Sequence, residues 1–150
     1  MTKVQIQKSI SASPAVAFHA LVDVEGMPSR HPDVLRTEFL SEQREGVGTR
    51  FREVRRMGEG EFVSDLEITE LEPGHRVRMV TENHGTVWDT LFLVEPAAGG
   101  CTLQVEMDAR AQKLMPRLLN PLFKGLFRRG LVKHFDVFAK WCEAQTGEVS

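Results

Sequence analysis

Few side chains in this sequence can do acid–base or nucleophilic chemistry, and their spacing shortens the list further. Histidines stand at positions 19, 31, 75, 84 and 134, cysteines at 101 and 142, and tyrosine is absent. No His-x-x-x-His or Cys-x-x-Cys spacing occurs, so no single element carries the ligand pattern of a transition-metal site. Neither Gly46-Val47-Gly48 nor Gly58-Glu59-Gly60 extends into a phosphate-cradling loop, and no Gly-x-Ser-x-Gly elbow presents a serine. Cys101 shares alternation parity with Leu103, Val105 and Met107, the pattern of a small core residue rather than a nucleophile. Two acid–base candidates are left, His134 and Asp89.

At 100° per residue, His134 falls on the helical arc that carries Leu119, Phe123, Gly130 and Phe138. It is either a core or rim histidine satisfied by a backbone carbonyl, or a polar group projecting into a cavity. In the second role it could orient a carbonyl or shuttle a proton. Gly130 on the same arc either permits close helix–sheet approach or leaves room for a ligand. Asp89 lies in Val87-Trp88-Asp89-Thr90-Leu91-Phe92-Leu93-Val94, which is apolar on both faces. If Trp88, Thr90, Phe92 and Val94 face inward, Asp89 is solvated. With the other parity it enters an apolar space, where desolvation would raise its pKa and suit it to acid–base work. The bulkier aromatic set matches a wide concave interior, which favours the first arrangement.

The elements that must position these residues follow from composition and periodicity. With 150 residues, 41% of them hydrophobic and 27% charged, the chain suits one domain spanning 1–150, with a core that needs no metal or disulfide. No apolar run approaches the ~18 residues of a membrane span, and Met1-Thr2-Lys3-Val4-Gln5 carries no secretory signal. Two distant cysteines fit a reducing compartment, so a cytoplasmic location is expected. The net charge of −2 argues against a general nucleic-acid binder. That average hides an asymmetry: residues 110–150 carry eight Lys or Arg against three Asp or Glu. The plain reading is a solvated basic helix face.

Val4, Ile6 and Ile10 alternate with polar residues, predicting a strand over about 3–11. Ser13-Pro14 supplies a helix cap and first turn for a helix through Val16, Phe18, Ala20, Leu21 and Val24, which Gly26 and Pro28 stop. A second helix here has room for a turn or two only. Six further strands are predicted at 34–40, 49–57, 61–71, 76–82, 86–95 and 101–111, separated by glycine- and proline-bearing turns and forming an antiparallel meander. The last element repeats apolar residues at three- and four-residue steps. It predicts a continuous amphipathic helix over about 122–145, entered through Pro116 and Pro121.

This order resembles the helix-grip fold of the START-like (Bet v 1-like) superfamily, an α+β architecture. There, a seven-stranded curved antiparallel sheet wraps a long C-terminal helix, with two short helices after the first strand. Ser11-Ala12-Ser13-Pro14 with Val16, Phe18, Ala20, Leu21 and Asp23 is similar to that group's strand-to-helix opening, and Gly46-Val47-Gly48-Thr49-Arg50-Phe51 to its glycine turn into the third strand. Ile68–Pro73 and Gly99–Leu103 sit where its later turns are expected. The nearest branch is the polyketide cyclase/dehydrase and lipid-transport (SRPBCC) group. One departure falls at Pro28-Ser29-Arg30-His31-Pro32, where that group often has a tryptophan.

The resemblance implies a cavity between sheet and helix; the residue spacing leads us to expect no metal, and no cofactor is expected. From the sheet, Phe51, Leu66, Met79, Trp88, Thr90, Phe92, Leu103, Val105 and Met107 are expected to line it. From the last element, Leu119, Phe123, Leu126, Phe127, Gly130, His134 and Phe138 are expected. The implied partner is a small hydrophobic molecule, bound by a monomer or homodimer acting as carrier or sensor. A polyketide cyclase or dehydratase using His134 or Asp89 is one alternative. The other is a quinone or lipid chaperone whose basic segment touches membrane. In a meander the turns at 58–60 and 83–85 share an end of the sheet with the chain at 111–122, and the cavity mouth is expected there. Whether the cavity is open or filled by its own Phe and Met side chains stays open.

Overall fold

Alternation along the chain becomes a seven-stranded sheet with flanking helices in a computed structural model that describes all residues except 1, 84, 115–118, 120, 123 and 150. The strands are β1 (Thr2–Ile10), β2 (Val34–Phe39), β3 (Arg50–Met57), β4 (Gly60–Glu72), β5 (Arg76–Asn83), β6 (Thr86–Ala97) and β7 (Gly100–Ala111). The helices are α1 (Pro14–Val22), α2 (Met27–Arg30) and α3 (Lys124–Val149). All neighbouring strands are antiparallel, in the order β1-β7-β6-β5-β4-β3-β2, with α3 packed against the concave side. This is the helix-grip architecture, and its strand limits lie within a residue or two of those read from alternation.

Turn chemistry sets the meander. Gly85 illustrates it: its φ of 80° closes the β5–β6 hairpin without Cβ strain. Its carbonyl also accepts from Gln112 N at 2.7 Å, and a Cβ there would press on the Lys113 side chain. The same residue therefore fixes both the hairpin and the start of the link into α3.

Ser13 Oγ accepts from Val16 N at 3.2 Å and starts α1 ahead of Pro14. The short α2 is held by Arg30, which is 3% exposed, bonds Asp23 Oδ2 at 3.0 Å and lies 5.4 Å from the Trp141 ring centre. His31 follows in an extended conformation (φ −123°), as a residue before proline should. That step places its ring against α3.

The long helix differs from expectation at both ends. It begins at Lys124 rather than 122, because Pro121 and Leu122 form a turn in which Leu122 N donates to Leu119 O at 3.0 Å. It continues to Val149 rather than 145. Pro116 lies outside the described residues. Lys8, which breaks the apolar parity of β1, pairs with Asp136 of α3. Cys101 and Cys142 are free and buried, and burial pushes both thiols up, that of Cys142 to about 12. Among the described residues no helix is long and apolar enough to cross a membrane.

Candidate ligand-binding cavity

The concave face is filled along half its length only. At the end covered by α1 and α2, large inward side chains meet: Phe51, Ile68, Val77, Leu103 and Phe138 are each 2% exposed or less. Toward the 58–60 and 83–85 turns, the inward positions of β4, β5 and β6 become Ser64, Thr81, Asn83, Thr86 and Thr90. Opposite them α3 presents Gly130, at which an added Cβ would meet nothing within 4 Å. Small side chains on one wall and a missing one on the other leave a cavity of about 730 Å³.

Its apolar surface comes from Phe62 and Leu66 of β4, Trp88 and Phe92 of β6, Met107 of β7, Leu119, and Leu126, Phe127, Leu131 and Phe135 of α3. Trp88 and Phe127 meet edge to face, with centroids 5.1 Å apart and planes at 87°. The remaining wall is polar. Arg55 of β3 donates through Nη2 to His134 Nδ1 at 2.7 Å. Its Nε lies 2.8 Å from Glu53 Oε1, close enough for an ion pair without hydrogen-bond alignment. The His134 ring stacks on His31 at 4.0 Å and 12°, and His31 in turn stacks toward Phe138. Asn83 Nδ2 donates to Ser64 Oγ at 3.1 Å nearby.

The charge state of this corner follows from its geometry. A guanidinium can only donate, so His134 Nδ1 is an acceptor and a neutral ring carries its proton on Nε2. Burial holds the His134 pKa well below its ordinary value, and the neighbouring His31 and Arg55 push the same way. His31 is lowered to about 4, again by burial first and then by Arg55 and Arg30. Burial raises the Glu53 pKa against the opposing pull of Arg55. At neutral pH the corner thus offers an imidazole N–H, one arginine and a carboxyl that holds its proton more readily than in water.

Of the residues expected at the cavity, Leu66, Trp88, Thr90, Phe92, Met107, Leu119, Leu126, Phe127, Gly130 and His134 lie on its walls. Phe51, Met79, Leu103, Val105 and Phe138 do not. They share the inward parity but sit in the packed half, each buried in the core. Phe123 lies outside the described residues, as does His84 at the expected mouth. Asp89 is not brought to the cavity. Strand β6 turns Trp88, Thr90 and Phe92 inward, so Asp89 points to the convex face. It is not solvated there either: it is 7% exposed, held by Arg78 Nη1 at 2.8 Å and Arg110 Nη2 at 2.9 Å. Two arginines from neighbouring strands cover it, which alternation on its own strand could not reveal.

Sequence reading passed over Glu53, Arg55, His31 and Phe135. The parity of Phe51, Glu53 and Arg55 was available as a signal, but β3 carries charges on both faces and so masks its inner one. Among the described residues no group of three or more His, Cys, Asp or Glu side chains is gathered as metal ligands.

Comparison with known proteins adds a lineage to this geometry. A family described as polyketide cyclase/dehydrase and lipid transport matches residues 1–136. No curated protein matches. The di-domain aromatase/cyclase StfQ from the steffimycin biosynthetic pathway is similar in structure, with a TM-score of 0.77 at 16% identity. That match covers 98% of this chain and 51% of the other, so this chain spans about half of the di-domain protein. A START superfamily protein from Mycobacterium smegmatis gives a TM-score of 0.73 at 14% identity, with both chains covered in full. A protein from Thermus thermophilus gives 0.72 at 18% identity over 95% of this chain and 97% of its own.

Proposed function

The chain belongs to the polyketide cyclase/dehydrase and lipid-transport family, and from that premise we propose that it binds one small, largely apolar or aromatic molecule between the sheet and α3. The observation that carries this reading is the convergence of His134, Arg55 and Glu53 on one wall of a largely apolar cavity of about 730 Å³. Ligand sites commonly measure roughly 300–1,000 Å³ and pair an apolar lining with a few polar groups that fix orientation. In this reading the faces of Trp88 and Phe127 take the ligand's rings. The His134 Nε2–H donates to a carbonyl or phenol oxygen, with Arg55 holding the imidazole in the tautomer that can do so.

A carrier role is the simplest use of this site. The neutral imidazole orients a ligand oxygen, and Arg55 is already engaged by His134 and Glu53. One observation favours a second reading, acid–base chemistry of the cyclase or dehydratase class. Glu53, its pKa raised by burial, is an acid on the same wall as the ligand oxygen.

Native mass spectrometry of protein purified from its host tests the first reading by weighing whatever co-purifies. His134→Phe keeps apolar bulk and removes the donor, so it should weaken binding of that molecule by about tenfold with an unchanged thermal melt. Unchanged affinity in this variant would reduce His134 to packing. If the protein returns the molecule lighter by one water and Glu53→Gln abolishes the change, the second reading replaces the first.

A further inference from the structure

The cavity reading leaves one surface unused. Four large hydrophobic side chains are exposed around the link into α3 and its first turn: Leu114 at 70%, Leu119 at 38%, Leu122 at 77% and Leu126 at 60%. Two of them, Leu119 and Leu126, also line the cavity, so this patch forms its rim. Isolated exposed leucines need no explanation, but four within residues 114–126 at a cavity edge form a patch that water disfavours.

The charge along this segment of the chain has a single sign. From residue 109 to 135 the sequence holds Arg110, Lys113, Arg117, Lys124, Arg128, Arg129 and Lys133, and no Asp or Glu. Arg110 is committed to Asp89 and Asp108. Lys113, Lys124, Arg128, Arg129 and Lys133 are exposed and form no ion pair with a described residue. Residues 1–109, in contrast, carry 11 basic against 18 acidic side chains. Protruding leucines set among uncompensated cations are the composition of a segment that lies in a lipid interface. A folded protein partner would favour aromatic anchors seated in a shaped surface, whereas this rim offers flexible aliphatic chains. A deformable, negatively charged apolar surface fits both features.

We propose that the rim formed by Leu114, Leu119, Leu122 and Leu126 with Lys113, Lys124, Arg129 and Lys133 docks on an anionic phospholipid bilayer. The leucines enter the headgroup boundary and the cations meet lipid phosphates. Docking stands on the patch itself, and only passage of a ligand between bilayer and cavity rests on the binding reading above.

The test is co-sedimentation of the full chain with vesicles of phosphatidylcholine alone and of phosphatidylcholine with phosphatidylglycerol, at low and high salt. Binding to the anionic vesicles at low salt, falling steeply with salt and absent on pure phosphatidylcholine, is expected. Lys124→Gln with Arg129→Gln and Lys133→Gln should lower the partition coefficient about a hundredfold. Leu122→Ser should lower it about tenfold with charge intact and an unchanged circular dichroism spectrum. Absence of binding to anionic vesicles at low salt overturns the proposal, and so does binding that neither change affects. A stable dimer in native mass spectrometry that Leu122→Ser dissolves would also overturn it, by assigning the patch to a second copy. None of these readouts involves a ligand in the cavity, so failure here leaves the binding reading standing.

Discussion

The two halves of the concave sheet share strands, parity and covering helix, yet one is solid and the other hollow. At the α1–α2 end, Phe51, Val77, Leu103 and Phe138 interlock and are 2% exposed or less. At the hairpin end, threonine, serine and asparagine occupy the equivalent inward positions of β4–β6, and α3 contributes Gly130. The register of β4 and β5 pairs Ile68 with Met79 in the packed half and Leu66 with Thr81 in the open one, on the same two strands. Alternation decides which residues point inward, and side-chain volume decides whether the interior closes. The packed half holds the sheet's shape while the open half is free to carry polar groups that a closed core would penalise.

The sharpest way to break this contrast is to truncate one phenylalanine in each half. Phe138→Ala should cost about 3–5 kcal/mol in urea unfolding, because a fully enclosed ring leaves a new void. Phe127→Ala should cost about 1–2 kcal/mol, since that ring already borders empty space and loses fewer contacts. Equal losses would mean that the two halves are equally packed.

The fold was legible because it rests on short-range patterns. Strand limits, the short α2 and the inward face of β6 all follow from parity and turn residues such as Gly58, Gly74 and Gly85. The cavity's hydrophobic walls were legible for the same reason, Trp88, Phe92, Phe127 and Gly130 among them. What alternation could not give was depth along the strands: Phe51, Leu103 and Phe138 have the correct face but the wrong half. The polar corner was hidden for a different reason. His31 and His134 are 103 positions apart and meet only because α2 ends at His31-Pro32 against α3. Arg55 stands in a strand whose outer face is just as charged, so nothing local distinguishes the guanidinium that turns inward.

That corner should give the molecule a pH-dependent stability which the packed half lacks. A histidine whose folded pKa is depressed contributes stability that is complete above its unfolded value and lost as pH falls toward the folded one. With His31 lowered from 6.5 to about 4, the loss runs between those two values. It amounts to about 3 kcal/mol in full. His134, lowered by the same burial, adds to it in the same direction. Glu53 is raised and works oppositely, its contribution being complete below the unfolded carboxyl value and lost as pH rises. Urea midpoints at pH 7 and pH 4.5 should therefore differ less in His31→Phe than in the parent chain. An identical slope in both would remove His31 from the corner's proton balance.

The smallest effect tests whether the open half is open at all. Gly130 lies within a regular helix, where glycine is about 1 kcal/mol less favourable than alanine. If helix and sheet had to touch backbone to backbone there, Gly130→Ala would clash and destabilise. Since an added Cβ at this position meets nothing within 4 Å, the methyl group should be accommodated freely. Gly130→Ala is expected to raise stability by about 0.5–1 kcal/mol through helix propensity alone, without altering the packed half. Gly130→Leu carries the same argument further, because its longer side chain would project into the cavity and occupy part of the 730 Å³. It should keep the parent's melting temperature or better while excluding a bulky ligand. Destabilisation by alanine would instead show that the helix and sheet close on each other at this point, and the glycine would then be a contact residue rather than the side-chain gap that keeps the hairpin end hollow.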